Sequence, residues 1–334
     1  MRDTLRAVVL LGVIAAGCGR MGAEATGCDG EPIRGGTTAV CEVPGWPDRL
    51  AEVHVPEGYT PDGDWPVIVA FHGGGGTRES AAKTTCPDGD LSHPECLHGL
   101  GDRVGFLTVY PDGVPAGALG RIRTWNAGGS GDLDCVAGTA CEQMSDDVGY
   151  VADLLDLLGA HYSVEPRVTV TGLSNGGAMA HRLGCDLADR VKVVAAVGGA
   201  NQQPGCEPSQ PVSILQIHGT RDPCWPYEGG ELGGCGGGTG RITGAEDTID
   251  GWIETLDCGP PTASTLPDGA DDGMESLRLD HECDGATVTL IMVDGGGHTW
   301  PDGHQYAPER RVGGVTHDFS GNQVIWGFAV QAEG

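Results

Sequence analysis

The chain has 334 residues, which suits one large domain or two small ones, and 39% of them are apolar, ample for a buried core. Its formal net charge of -28 sets up a field that repels phosphate backbones, which argues against nucleic acid and anionic membrane as partners and against strongly anionic substrates. With 59 glycines and 21 prolines, loops should be many and long helices few.

Arg2 and Arg6 precede an apolar run from Ala7 to Ala16, and Gly17 and Cys18 follow. A run this short with small residues at its end predicts an export signal over 1–17, not a span. A cysteine directly after Ala15-Ala16-Gly17 matches a lipoprotein processing site, so Cys18 is the expected acylated first residue of the mature chain. The lipid would tether a domain that itself has no transmembrane segment; the alternative is ordinary secretion with cleavage nearby.

Of 13 cysteines, 12 remain once Cys18 is set aside, an even number that belongs in an oxidising compartment. Spacing does not fix their connectivity. The least demanding pairing joins sequence neighbours: Cys28–Cys41, Cys86–Cys96, Cys135–Cys141, Cys185–Cys206, Cys224–Cys235 and Cys258–Cys283. No C-x-x-C pair occurs, which disfavours a zinc site, and no metal or organic cofactor is expected.

Residues 18–46 read as a tether and a disulfide-pinned leading segment, and 47–334 as a single domain. Leu50–Val55 alternates and predicts an outer strand; Pro66–Phe71 is an unbroken apolar strand of the kind covered on both faces. It opens into His72-Gly73-Gly74-Gly75-Gly76, which lacks the Lys-Ser/Thr of a phosphate loop and the spacing of a dinucleotide loop. Residues 78–102 form a long excursion, and Gly105–Tyr110 is the next strand. Trp125, Asn126 and the glycines after them, near the Cys135–Cys141 pair, are the expected wall of a pocket.

Ser145 is placed to cap a helix carrying Val151, Leu154, Leu155 and Leu158, with Asp146 and Asp147 in its first turn. Val168–Thr171 predicts a strand, 178–187 a helix, and Val191–Val197 and Val212–Ile217 two more buried strands. A helix over 246–256, an exposed loop over 259–273, a last strand at Val288–Val293 and a closing helix over 323–330 complete the chain. Strands alternating with helices predict an α/β class, a mostly parallel doubly wound sheet with helices on both faces.

Between strand and helix stands Gly172-Leu173-Ser174-Asn175-Gly176, a G-x-S-x-G turn that presents a serine nucleophile. A serine hydroxyl is a feeble nucleophile unless an imidazole takes its proton, and a carboxylate must orient that imidazole. Asp222 follows a later strand and His298 the last one, giving the order nucleophile, acid, base. Asp294 is the chief rival for the acid, whereas His72 and His218, each ending a buried strand before a glycine, read as structural. The oxyanion hole would use the amides of Asn175 and Gly74.

These stretches, with Arg123–Gly129, Asp146–Gly149, His218-Gly219-Thr220 and Gly297–Pro301, resemble the secreted polyhydroxybutyrate depolymerase-like and LpqC-type esterases, similar to feruloyl esterases of carbohydrate esterase family 1. The matches run in order over roughly residues 50–330. The resemblance implies an α/β-hydrolase acting on carboxylic esters, with Ser174, Asp222 and His298 as its triad. The sequence departs from the pattern where a cysteine pair often follows the tryptophan loop: Ser130 and Gly131 stand there.

The expected function is thus a secreted serine esterase acting on feruloyl or acetyl esters of polysaccharide, as a monomer, with Trp125, Asn126 and Trp300 lining the substrate pocket. A depolymerase of short hydroxyalkanoate oligomers is the alternative substrate reading. A non-catalytic binding lipoprotein on a hydrolase fold is the alternative of another class.

Overall fold

Strands such as Val67–Phe71 and Val191–Val197 put apolar, largely β-branched residues at successive positions, so neither face can be left in water. The computed structural model describes residues 25–117, 119–129, 132–136, 138–203, 205–233, 235 and 240–332. The predicted export signal and Cys18 lie outside the described residues.

In chain order the strands begin with Thr37–Glu42 (β1), Leu50–Val55 (β2), Val67–Phe71 (β3) and Leu107–Pro111 (β4). The hairpin Val114–Ala116 and Ile122–Thr124 (β5, β6) comes next, then Val168–Leu173 (β7), Val191–Val197 (β8) and Ser213–Gly219 (β9). A second hairpin, Gly230–Glu231 and Arg241–Ile242 (β10, β11), precedes Thr262–Thr265 (β12), Glu275–Cys283 (β13) and Ala286–Asp294 (β14). Apart from the hairpins they form one 10-stranded sheet in the order β1-β2-β4-β3-β7-β8-β9-β14-β13-β12.

From β4 across to β14 all neighbours are parallel, and the strands at either edge pair antiparallel. Alternate residues of each central strand serve opposite faces. Val69, Val170, Val194 and Ile214 pack with the helices over 147–161, 175–186 and 245–255. Ile68 and Ala70 pack under the helices over 78–84 and 97–104, and Val193, Leu215 and Ile291 under the helix over 321–331. The doubly wound architecture is as the sequence predicts.

Several elements differ from expectation; the excursion over 78–102, for one, holds the helix over 78–84 and most of that over 97–104. The leading segment contributes β1, so Leu50–Val55 is the second strand from the edge and not the outermost. Part of the expected exposed loop over 259–273 is β12, whose four residues are all exposed. Beyond it β13 pairs with β14 along nine residues; its Arg278, Asp280, His281 and Glu282 dilute the period-2 apolar signal, so pairing and the Cys258–Cys283 bridge hold it. All six disulfides join the sequence neighbours expected.

Burial acts strongly on two of the buried histidines, His72 and His181. His72 takes the Gly113 amide on Nε2 at 3.0 Å and gives its Nδ1 proton to the Gly73 carbonyl at 2.8 Å. His181 lies in the helix over 175–186, and burial pushes both imidazoles down to about 4 from 6.5. The unfolded chain protonates these rings near 6.5 while the folded one resists until about 4. Their stabilisation is therefore present in full above pH 6.5 and is lost as pH falls toward 4, by up to about 3 kcal/mol per ring. Urea unfolding of the wild type and of His72→Gln between pH 7 and 4.5 should show a shallower loss of stability in the variant.

Candidate active site

Ser174 follows β7 and stands at the N-cap of the helix Asn175–Asp186 with φ 61 and ψ -125, a left-handed conformation costly for a residue with a Cβ. Its amide donates to the Val197 carbonyl at 2.8 Å, and its own carbonyl accepts from the Ala178 amide at 3.0 Å. Only glycine fits at positions 172 and 176. A Cβ on Gly172 would stand 2.6 Å from the Phe71 carbonyl oxygen, and one on Gly176 would reach within 2.7 Å of the His72 carbonyl. These are the contacts that a sharp strand-to-helix turn needs.

Opposite the serine, β3 ends at Phe71 and His72 leads into the glycine loop. A Cβ on Gly73 would lie 3.5 Å from the Ser174 Cβ, so this loop and the nucleophile turn face each other closely. Gly75 N and Gly76 N are committed to the carbonyls of Arg123 and Gly73, at 2.8 and 2.9 Å. Gly74, the expected oxyanion donor, lies exposed on the cleft with Ser174 and Asn175. Asn175, the first residue of its helix, also has an amide without an intrahelical partner.

Trp125 and Asn126 sit beneath this edge. Trp125 is 0% exposed; its indole donates to the His72 carbonyl at 3.0 Å and packs edge-on against Phe71. The Asn175 side chain pairs with the Trp125 backbone twice, accepting from its amide at 2.8 Å and donating to its carbonyl at 3.0 Å. Asn126 gives its amide to Asp147 Oδ2 at 2.6 Å and its side-chain NH2 to the Ser145 carbonyl at 2.8 Å. Asp147 is therefore not a cap residue. Asp146 is the N-cap, accepting from the Gly149 amide, and takes the place expected for Ser145. Asp147 is buried in an ion pair with Arg49 at 2.6 Å, and the Arg49 guanidinium lies over the Tyr150 ring at 3.6 Å. Burial drives the Asp147 carboxyl upward and the Arg49 guanidinium downward, each opposed by its partner.

Asp222 follows β9. Its Oδ1 accepts from the amides of Cys224 and Trp225, both at 2.8 Å, and its Oδ2 accepts from His298 Nδ1 at 2.6 Å. Burial alone would raise this carboxyl, but the His298 imidazole and hydrogen bonds from His218 and His298 outweigh it and hold the group well below the usual carboxylate range. The backbone of His298 is pinned at both ends: its amide donates to the Val312 carbonyl at 2.6 Å, and its carbonyl accepts from Tyr306 Oη at 3.1 Å. Asp294 is exposed and accepts from the Thr220 hydroxyl at 2.8 Å, so it ties the acid's loop and does not meet His298.

Ser174 and His298 line a single cleft of about 680 Å³, within the range of small-molecule sites. No hydrogen bond joins the serine to the imidazole among the described residues, a looseness common in catalytic pairs before substrate arrives. Trp225, Leu232, Ile122 and Tyr306 supply apolar lining. Trp125, Asn126 and Trp300 do not line it, which corrects the sequence expectation for all three. Trp300 is 1% exposed and its indole donates to Asn322 Oδ1 at 3.0 Å, anchoring the His298 loop to the last helix. Trp225 was legible beside Cys224 and Asp222; Tyr306 carried no signal, because its partner is a backbone carbonyl.

A family model of putative esterases matches residues 47–222, a little over half of the chain. The chain belongs to the putative esterase family. Feruloyl esterase B of Piromyces equi is 26% identical over 268 residues, 76% of this chain but 43% of that protein, so this family member spans less than half its relative's length. Feruloyl esterase D of Neurospora crassa is 24% identical over 281 residues, covering 83% of this chain and 82% of that one. Among solved structures, an acetyl xylan esterase from Aspergillus awamori superposes with a TM-score of 0.52 over 79% of this chain and 94% of that one, at 13% identity. That likeness concerns the fold, which is the α/β-hydrolase fold.

Arg49→Met leaves the Asp147 charge buried without a partner and should lower the free energy of unfolding by about 3–5 kcal/mol. Chemical denaturation of that variant and of Arg49→Met/Asp147→Leu tests this, the double variant recovering most of the loss.

Proposed function

We propose that the protein is a serine carboxylic-ester hydrolase that works through an acyl-enzyme intermediate. Ser174 attacks the ester carbonyl while His298 takes its proton, and Asp222 holds the ring tautomer and offsets the charge of the imidazolium. The amides of Asn175 and Gly74 receive the developing oxyanion; one such donor typically contributes about 3 kcal/mol to the transition state. His298 then protonates the leaving alcohol, and water activated by the same ring releases the acid. The observation that carries this reading is the 2.6 Å bond from His298 to the buried Asp222 on the cleft that also holds Ser174 at its strained turn.

The substrate reading is a feruloyl or acetyl ester on polysaccharide. It is supported by the names of the relatives and by a cleft of about 680 Å³ with aromatic and aliphatic lining. Six disulfides support export to an oxidising compartment, with Cys18 as the lipid-bearing residue. No described helix is long and apolar enough to cross a membrane.

Ser174→Ala should abolish hydrolysis of p-nitrophenyl acetate, by about 10³-fold or more; persistence of activity would remove the serine mechanism. Release of ferulate from methyl ferulate should exceed release of 3-hydroxybutyrate from its oligomers, and the reverse ranking would assign the oligomer substrate instead. Expressed in a bacterial host, the full chain should partition into membranes and Cys18→Ala should not, as read by immunoblot of the fractions.

A further inference from the structure

Behind the acid lies a line of buried polar side chains that the proposed mechanism does not use. It starts at Trp252 in the helix over 245–255, passes through His181 in the nucleophile's own helix, and continues through Gln216 and His218 on β9. All four are 0–1% exposed. The separations are 3.1 Å from Trp252 Nε1 to His181 Nδ1, 2.8 Å from His181 Nε2 to Gln216 Oε1, and 3.1 Å from Gln216 Nε2 to His218 Nδ1. His218 Nε2 then lies 2.8 Å from the Trp225 carbonyl and 3.4 Å from Asp222 Oδ2.

The direction of this line is fixed at its start. An indole nitrogen can only donate, so His181 Nδ1 must accept and its proton must sit on Nε2. That proton goes to Gln216 Oε1, which turns the amide NH2 toward His218 Nδ1. His218 Nδ1 must then accept in its turn, leaving its single proton on Nε2, aimed at the Trp225 carbonyl and the Asp222 carboxylate. With the other tautomer, the Nε2 lone pair would face two oxygens. Burial keeps His181 neutral down to about pH 4, so the start of the line does not reverse in the working range.

We infer that His218, oriented by Gln216, is a positioning residue that fixes the Asp222 carboxylate in its aim at His298. Asp222 Oδ1 is held by two backbone amides, and the His218 proton is the second contact on Oδ2 beside His298 Nδ1. Its hold on the Trp225 carbonyl also steadies the residue whose amide binds Oδ1. The carboxylate then has no free rotation, and the line couples the helix that presents Ser174 to the loop that presents the acid. This inference rests on the triad reading of the preceding subsection.

The test uses His218→Leu, which removes the donor, His218→Gln, whose amide N–H reaches about where Nε2–H stands, and Gln216→Leu, which frees the tautomer. Activity on p-nitrophenyl acetate is normalised to the folded fraction. His218→Leu should lose about 10–100-fold in kcat with KM changed by less than about twofold, the scale seen when outer partners that orient metal ligands are removed. His218→Gln should recover most of that loss, and Gln216→Leu should fall between the two. Equal activity of the Leu and Gln variants at 218, or a folded His218→Leu with wild-type kcat, would overturn the positioning role. If His218→Leu does not fold, Gln216→Leu and His218→Gln decide: wild-type kcat in Gln216→Leu, or a His218→Gln no better than Gln216→Leu, overturns it. Ser174→Ala, run alongside, separates the two failures, because residual activity there sinks the triad itself.

Discussion

A serine with φ 61 at the end of a central parallel strand is the constraint to which the surrounding structure is fitted. That conformation turns the chain from β7 into its helix within one residue and leaves the side chain standing clear of both. It is tolerated because the neighbours have given up their own side chains. Gly172, Gly176 and Gly199 each sit where a Cβ would collide with backbone, the last against the Ser174 carbonyl itself. The high glycine content of the chain is spread through many loops, but here it has a local steric purpose.

The side of the cleft that holds the proposed oxyanion donors depends on charges placed where solvent cannot reach them. Arg49 and Asp147 are almost wholly buried, and desolvation opposes both ionised forms, so the pair is a poor device for stability alone. What it supplies is direction. Asp147 has one oxygen on Arg49 and the other on the Asn126 amide, which sets the loop whose next residue back, Trp125, is clasped by the Asn175 side chain. The guanidinium, ringed by Tyr150, Trp125 and Trp46, is held laterally as well. A chain of oriented contacts thus runs from the buried pair to the first amide of the nucleophile's helix.

The parallel core was legible in the sequence because unbroken apolar runs have few other uses, and the nucleophile turn because glycines on both sides of a serine between strand and helix are hard to explain otherwise. Asp222 and His298, singled out from chain order as candidate acid and base, do meet in the structure, and the cysteine partners follow from proximity. The edges were not. β1 and β13 are held by hydrogen bonding to a neighbour already in place, and their side chains are too polar to announce a strand. The two expected wall tryptophans were misjudged for a related reason. An aromatic beside glycines looks like a wall, yet Trp125 and Trp300 each own an indole N–H with an internal acceptor, at the His72 carbonyl and at Asn322. A buried indole needs such a partner, and pairing across that sequence distance leaves no local pattern to read.

The charge balance also reads differently once the cleft is in view. A net -28 argues against anionic partners over the surface as a whole, but no Asp or Glu is among the described residues lining the cleft, whereas Lys83 and Arg311 are. Asp222, the proposed acid, is 5% exposed and stands behind His298, two of its bonds coming from backbone amides. On the proposed mechanism, negative charge developing on an ester oxygen at Ser174 would meet amides and an imidazole before it meets any acid. Since Coulomb interactions among exposed groups are screened within about 8–10 Å at physiological salt, the acidic surface beyond the rim acts on solubility, while the short-range arrangement within the cleft governs the chemistry.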